Sequence, residues 1–472
     1  MSNAQLPVLQ PEDRVLSTLQ SDGSRRWIYP KLSTGRFWHR RRILAYGLIA
    51  LYTLLPLIKI AGRPALQLDF WNGRFSFFGL VLLPTELKLL ALLGIVVVIS
   101  IFFATAIFGR VWCGWGCPQT VYMEYVFRPI ERLFTGTVGK GGVPRKQVAG
   151  WRRVAMYGVY LLICWHLANT FLAYFVGADQ LHAWIWTAPP WEHPQAFALV
   201  LFVTGLMMFD FCYWREQLCI IGCPYGRFQS VMLDRSSLVV GYDVKRGEPR
   251  GRGRNRAEKG LGDCVDCHLC VDVCPTGIDI RDGLQMECVN CTQCIDACDT
   301  VMEKVGKPKG LIRYSSQAGL DGVPTRIIRP RVLIYSAIIT AVAVLFIALL
   351  ASRSPYQVTL LRGLGRPFVV RQETSEVENL VRVKIVNRTD EEEHYQIEPV
   401  EPAGLRIDGE DTFALDPQGV ATEPLHLVAP ADVFVENRGI VEAQLQVTNR
   451  GGKSSVYEYR LFGPAEAASD GQ

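Results

Sequence analysis

With 472 residues, the chain is long enough for roughly two to four domains. Apolar residues make up 49% and charged residues 20%, too apolar for a wholly soluble protein and too charged for a bundle of spans alone. The charge of +5 is unevenly held. Residues 352–472 carry 12 Lys and Arg against 20 Asp and Glu, a balance of −8, which leaves +13 on the remainder. The basic residues flank apolar stretches, which sets nucleic acid aside and suits an anionic lipid surface or an acidic electron-carrying protein.

Taken from the N-terminus, residues 1–24 are polar, and the first apolar run begins only at Ile43 with no small-residue cleavage pattern after it, so no cleavable signal is expected. Five stretches have the length and apolarity of spanning helices: 43–60, 89–108, 154–176, 196–214 and 332–351. Lys and Arg concentrate before the first, between the second and third, and between the fourth and fifth, whereas 177–195 holds none. That asymmetry predicts a cytoplasmic N-terminus and an external segment beyond Ala351.

Two short cysteine motifs follow the second and fourth stretches. Cys113-Gly114-Trp115-Gly116-Cys117-Pro118 and Cys219-Ile220-Ile221-Gly222-Cys223-Pro224 share the form C-x3-C-P, and each leads into an amphipathic stretch, 119–134 and 225–233. The repeat is span, motif, interfacial helix. A helical x3 spacing sets two sulfurs about one turn apart, and Pro opens the next helix. Such thiols, expected in electropositive and partly exposed loops, suit Cu(I), a redox dithiol or ligation of an iron cofactor; buried thiols packing a membrane interface are the structural alternative.

Residues 246–262, rich in Gly and Arg, are expected to be a flexible linker. Beyond them lie eight of the 14 cysteines, in two runs of C-x2-C-x2-C-x3-C: Cys264, Cys267, Cys270, Cys274, then Cys288, Cys291, Cys294, Cys298. This is the bacterial ferredoxin spacing for [4Fe-4S] clusters, in which the fourth Cys of each run ligates the other cluster. The expected sets are Cys264, Cys267, Cys270 and Cys298 for one cluster, and Cys288, Cys291, Cys294 and Cys274 for the other. Structural zinc and disulfides fit the spacing poorly, and the runs call for a reducing compartment. Pro275 follows the first run, but Asp299 stands at the matching place in the second.

Several single residues are weaker candidates. Cys164, His166 and Asn169 lie in the third stretch, where polar groups serve either function or interhelical bonding. Asp210 and Cys212, after Met207 and Met208, could extend a soft-metal path or simply pack. His182 and His193 sit among Trp184, Trp186 and Trp191, an interfacial aromatic belt. His268, inside the first run, is expected to tune its cluster.

The last 120 or so residues alternate apolar and polar at period two, at 380–387, 396–400, 425–428, 443–447 and 456–461, and predict an antiparallel immunoglobulin-like β-sandwich without a disulfide. The expected fold class is a multidomain membrane protein. It has an α-helical bundle of about five spans, a cytoplasmic two-cluster ferredoxin-like α+β module, and an extracytoplasmic immunoglobulin-like β-sandwich. The boundaries are 1–42 for the basic N-terminal segment, 43–235 for the four-helix membrane domain, 236–330 for the cluster module, 331–351 for the fifth span and 352–472 for the β-domain.

Two C-x3-C-P repeats at span ends, the eight-Cys module, one last span and an external β-domain together resemble the FixG/CcoG/RdxA family, over nearly the whole chain. The resemblance implies an accessory protein for cbb3-type cytochrome c oxidase in the bacterial inner membrane, with a periplasmic β-domain. It implies a cupric reductase, with two [4Fe-4S] clusters and with Cys113, Cys117, Cys219 and Cys223 binding or reducing copper. Implied partners are oxidase assembly factors, copper chaperones or transporters, a cytoplasmic electron donor or quinol, and a second copy of the chain. The repeats beside a polyferredoxin also resemble NapH-like quinol dehydrogenases, which generally lack the β-domain. A non-enzymatic assembly scaffold is the third alternative.

Overall fold

The helix Arg36–Leu54 ties the N-terminal part of the molecule to the cysteine-rich module. Its first amides lack a cap of their own; instead the Asp296 carboxylate accepts from Phe37 N at 3.2 Å and from Trp38 N at 2.8 Å. Arg41, fully buried, donates from Nε to the Gly114 carbonyl at 2.9 Å. The computed structural model describes residues 16–465 apart from 20–21, 23, 61, 72, 84–85, 137–147, 190, 254–259, 372–373 and 390.

Among the described residues, four helices are long and apolar enough to cross a membrane: Leu87–Phe108, Gly150–Val176, Pro194–Trp214 and Pro330–Ala351. The stretch expected at 43–60 is not one of them. Its helix ends at Leu54, a tight turn at Leu55–Leu57 takes in Pro56, which has no amide to continue the ladder, and Lys59–Ile60 pairs with Arg63–Pro64 as a short hairpin. A three-stranded antiparallel sheet follows, Leu66–Asp69, Arg74–Phe77 and Leu80–Leu82, with Leu66 opposite Phe77 and Phe77 opposite Leu80.

The cysteine-rich module rests on an antiparallel strand pair, Val239–Tyr242 with Ile312–Ser315, packed on the helix Gln293–Lys304. Val240, Ile278, Ile295, Met302 and Ile312 are among its buried apolar residues, and the cluster-run cysteines pack among them. The segment expected to be a flexible linker is instead tied into this module at several points; 254–259 lies outside the described residues. Arg246 Nε meets Asp263 Oδ2 at 2.6 Å, Gly262 N donates to Pro249 O at 2.9 Å, and Gly251 N to Cys264 O at 3.2 Å. Gly262 permits this, because a Cβ there would stand 2.5 Å from the Gly247 carbonyl.

Residues Ala348–Gln472 form a separate unit. One sheet orders Arg406–Asp408, Val420–Pro430, Glu376–Asn387 and Tyr356–Arg362, with Val369–Arg371 also paired to Glu376–Asn387. The other orders Thr412–Leu415, Glu393–Glu401, Ile440–Asn449 and Ser454–Phe462, and every pairing is antiparallel. Alternate residues Val377, Val381, Val383 and Ile385 face Tyr395, Ile397, Leu445 and Val447 in one core. Between the sheets, Tyr356 Oη donates to Val447 O at 2.8 Å. The strand ends at Asn387, whose buried amide donates to Glu391 O at 2.8 Å and Asp416 O at 3.0 Å.

Candidate redox site

The two cysteine runs fold as copies of one another. Asp266 and Asn290, just before the second Cys of each run, have φ of 51° and 53°; His268 and Thr292, just after it, have 56° and 64°. Left-handed backbone at four non-glycine residues is costly, and its recurrence at matched positions marks the two runs as one repeated, specialised loop. The thiols fall into two electrostatic neighbourhoods. Cys298 interacts with Cys264 and Cys267, and Cys270 with Cys298 and Cys267. Cys294 interacts chiefly with Cys291, Cys288 and Cys274.

Burial holds the Cys288 thiol up at about 11 and those of Cys270, Cys291 and Cys298 at about 12, so a thiolate here needs a counter-cation beside it. Among the described residues, no three His, Cys, Asp or Glu side chains close around a single metal ion. Two sets of four soft sulfur donors fit a pair of iron–sulfur cubanes better than a lone zinc ion. Asp299, in place of a second proline, accepts from Gly310 N at 2.9 Å. His268 is held between Arg281 Nη2, at 2.9 Å from its Nδ1, and Asp266 Oδ1, at 3.2 Å from its Nε2.

The C-x3-C-P motifs also match in backbone. Cys117 N donates to Trp112 O at 2.8 Å and Cys223 N to Leu218 O at 2.7 Å, both five residues back. Each second cysteine is extended, and Pro118 and Pro224 start the helices Pro118–Tyr122 and Pro224–Met232. The four thiols share one neighbourhood, in which Cys219 interacts with Cys117, Cys113 and Cys223. They are less open than expected. Cys113 is buried, the other three half-buried, and burial raises the Cys113 thiol to about 11 although the Arg110 guanidinium pulls it down.

This neighbourhood abuts the second cysteine run. Cys113, Val289 and Cys291 form one buried cluster, with Cys219 and Tyr225 packed on it. A Cβ on Gly114 would lie 2.5 Å from Val289 O and 2.8 Å from Asn290 O, so only glycine allows the approach. Gln229 Oε1 accepts from Cys113 Sγ and from Arg110 Nε, both at 3.2 Å, while Trp115 Nε1 donates to Tyr314 Oη at 2.9 Å. Gln229 and Tyr314 escape sequence reasoning, since no spacing rule links them to the motif, and nothing in the motif itself tells that Gly114 meets Val289. Arg110 could have been picked out as the cation nearest the first motif.

Of the weaker candidates, Cys164, Cys212, Met207 and Met208 come together, while His166, Asn169 and His193 lie apart from them. Cys164 is buried in an apolar cluster with Phe211, against which Met207, Met208 and Cys212 pack; His166, two residues on, is exposed. Asn169 Nδ2 donates to Trp165 O at 2.8 Å. His193 stacks on Trp184 with ring centroids 4.0 Å apart, and Trp186 and Trp191 are exposed.

Fold and site together define a membrane iron–sulfur protein with a ferredoxin-like dicluster module and an immunoglobulin-like C-terminal domain. Family comparisons agree: a 4Fe-4S dicluster domain matches 214–317, a 4Fe-4S binding domain matches 90–136, where Cys113 and Cys117 are the only cysteines, and an IG-like fold at the C-terminal of FixG matches 346–464. The chain is 32% identical over 463 residues to nitrogen fixation protein FixG of Rhizobium meliloti, covering 87% of this chain and 86% of that one. It is 30% identical over 447 residues to protein RdxA of Cereibacter sphaeroides, covering 90% and 94%. A solved FixG-related protein from Vibrio parahaemolyticus is 22% identical with a TM-score of 0.21, covering 24% of this chain and 98% of that one. The chain belongs to the FixG/RdxA family.

Proposed function

We propose that this iron–sulfur electron-transfer protein is a cupric reductase, converting Cu(II) to Cu(I) at Cys113, Cys117, Cys219 and Cys223. The observation that carries the reading is the shared buried cluster of Cys113 and Cys291 with Cys219 against it, which sets the C-x3-C-P thiols beside the second cysteine run. In this reading Cys264, Cys267, Cys270 and Cys298 hold one [4Fe-4S] cluster and Cys274, Cys288, Cys291 and Cys294 the other. When bound, these groups supply one-electron carriers.

Reduction of Cu(II) takes one electron from a reduced donor and breaks no bond in the protein. Sulfur holds Cu(I) better than Cu(II), so the thiols retain the product. Burial holds the Cys113 and Cys117 thiols up, which disfavours a free reactive dithiol there and favours a soft cation that displaces the thiol protons. Arg110, hydrogen-bonded with Cys113 to Gln229, supplies positive charge at the edge of the site. The N-terminus and cluster module are cytoplasmic and the β-domain periplasmic in this scheme, with copper chaperones or transporters and cbb3-type oxidase assembly factors receiving the product.

The test uses full-length protein reduced anaerobically and freed of reductant, then mixed with Cu(II) and a Cu(I)-specific chromogenic chelator. Cu(I) should form in step with loss of the reduced iron–sulfur spectrum. Reduced protein that is indifferent to Cu(II) would remove the assignment.

A further inference from the structure

Arg41 is 1% exposed and stands at the seam between the first C-x3-C-P motif and the second cysteine run, with its Nε on the Gly114 carbonyl. Both of its Nη atoms are buried and have no hydrogen-bond partner among the described residues. The Tyr125 ring, 5.6 Å from the guanidinium carbon, gives it a π contact but no counter-charge. The Asp296 carboxylate, which caps the same helix, accepts from the Phe37 and Trp38 amides instead.

A guanidinium keeps its charge in a protein, and burying it without an acceptor is costly. The group it acts on is Cys291: burial pushes that thiol up, and the Arg41 guanidinium pulls it back. Arg110, also buried, acts in the same sense on Cys288, and its own hydrogen bonds go to neutral oxygens, Gln229 Oε1 and the Met286 carbonyl. The first run differs. There Arg281, beside Cys270, donates from Nη1 to Asp266 Oδ1 at 2.7 Å and from Nε to Asp279 Oδ1 at 2.8 Å, so two carboxylates outweigh its charge.

We propose that Arg41 is a positioning residue for electron transfer: as an uncompensated counter-cation it makes the site of Cys274, Cys288, Cys291 and Cys294 the higher-potential of the two [4Fe-4S] sites. Reduction adds one negative charge to a site, and net charge and hydrogen bonds to sulfur set the potential. Burial of the second site by itself disfavours that added charge. Arg41 offsets it, acting through an effective dielectric of about 20 rather than the 80 of water. One electron then passes from the first site, which is oxidised, to the second, which is reduced beside Cys113, and no bond breaks. The inference rests on the two-cluster assignment and not on copper.

The test is a potentiometric titration, followed by electron paramagnetic resonance, of the full-length, cluster-loaded protein in copper-free detergent. The parent should reduce in two one-electron steps, and Cys267→Ser, which alters the first site, should change only the lower step. In Arg41→Met the higher step should fall by at least about 59 mV, a tenfold change in a one-electron equilibrium, with the lower step and the iron content unchanged. Arg41→Lys, which keeps the charge, should fall less. A merely structural role would lower iron content or move both steps together. An unmoved higher step in Arg41→Met, equal shifts of both steps, or a higher step that belongs to the first site overturns the proposal. Iron and sulfide content of the parent checks the cluster assignment separately, and no copper enters the measurement, so failure here is distinct from failure of the cupric reductase reading.

Discussion

Gly114 lies so close to Val289 that a methyl group on its Cα would stand 2.5 Å from the Val289 carbonyl oxygen. One residue is in the middle of the first C-x3-C-P motif, the other between Cys288 and Cys291. Their approach is the physical seam between the thiol site at the span ends and the ferredoxin-like module, and it is held further by Arg41 on the Gly114 carbonyl.

Gly114→Ala should therefore separate the two sites. The obstacle is backbone on the opposite side, which cannot rotate away, and overpacking of this kind costs about 1–3 kcal/mol. Iron and sulfide content should stay near the parent value, while Cu(I) formation falls at least tenfold. An alanine variant with the parent rate would show that the seam does not govern transfer.

Asp296 should matter to the Arg36–Leu54 helix more than to its own. Asp296→Ala removes the acceptor for two helix-start amides, a loss of about 1 kcal/mol by the usual worth of a cap. Thermal unfolding in detergent should shift down, with Asp296→Asn intermediate. Gly35→Ala should resemble the alanine variant, since its Cβ would meet Asp296 Cγ at 2.3 Å.

Glu216 holds one half-buried and one buried guanidinium group, accepting from Arg25 Nη2 at 3.3 Å and from Arg128 Nη2 at 3.5 Å, while Arg128 also reaches Pro275 O at 3.4 Å beside Cys274. Removing one member of a buried ion network strands the rest, at about 3–5 kcal/mol. Glu216→Ala should yield protein with reduced iron content and an unfolding midpoint several degrees lower. Full iron loading at the parent midpoint would mean that the network is dispensable.

In the β-domain, the hydrogen bond from His426, with Arg371 alongside, holds the Glu378 carboxyl below its ordinary value of 4.5 despite some desolvation. A depressed carboxyl pKa contributes stability that is present above the unfolded value and lost as pH falls through the folded one. Hydrogen exchange in the Glu376–Asn387 strand should accelerate as pH drops below about 4.5, after correction for intrinsic rates. Glu378→Gln should flatten that dependence.

The cluster thiols, the matched C-x3-C-P motifs and the principal strands of the sandwich were legible because each follows a short-range rule: ligand spacing, repeat, or period-two alternation. The 380–387 stretch alternates visibly, and it falls within the strand Glu376–Asn387. What escaped depends on contacts distant in sequence. Nothing near Asp296 announces that it caps a helix beginning at Arg36, and nothing near Gly114 announces Val289. In the 43–60 stretch the helix ends at Leu54, six residues short of the expected bound, because average apolarity conceals the local effect of Pro56. The small sheet at 66–82 has one local cue, the alternation of Arg74-Phe75-Ser76-Phe77, which is too short to stand out between long apolar runs.

The most direct test compares the parent protein with Cys113→Ser/Cys117→Ser, both reduced anaerobically, freed of dithionite and mixed with Cu(II) and a Cu(I)-specific chelator. The account predicts that the parent forms Cu(I) as its reduced iron–sulfur spectrum disappears, whereas the double variant keeps both clusters and forms none. Equal Cu(I) formation by the two proteins would contradict the central claim.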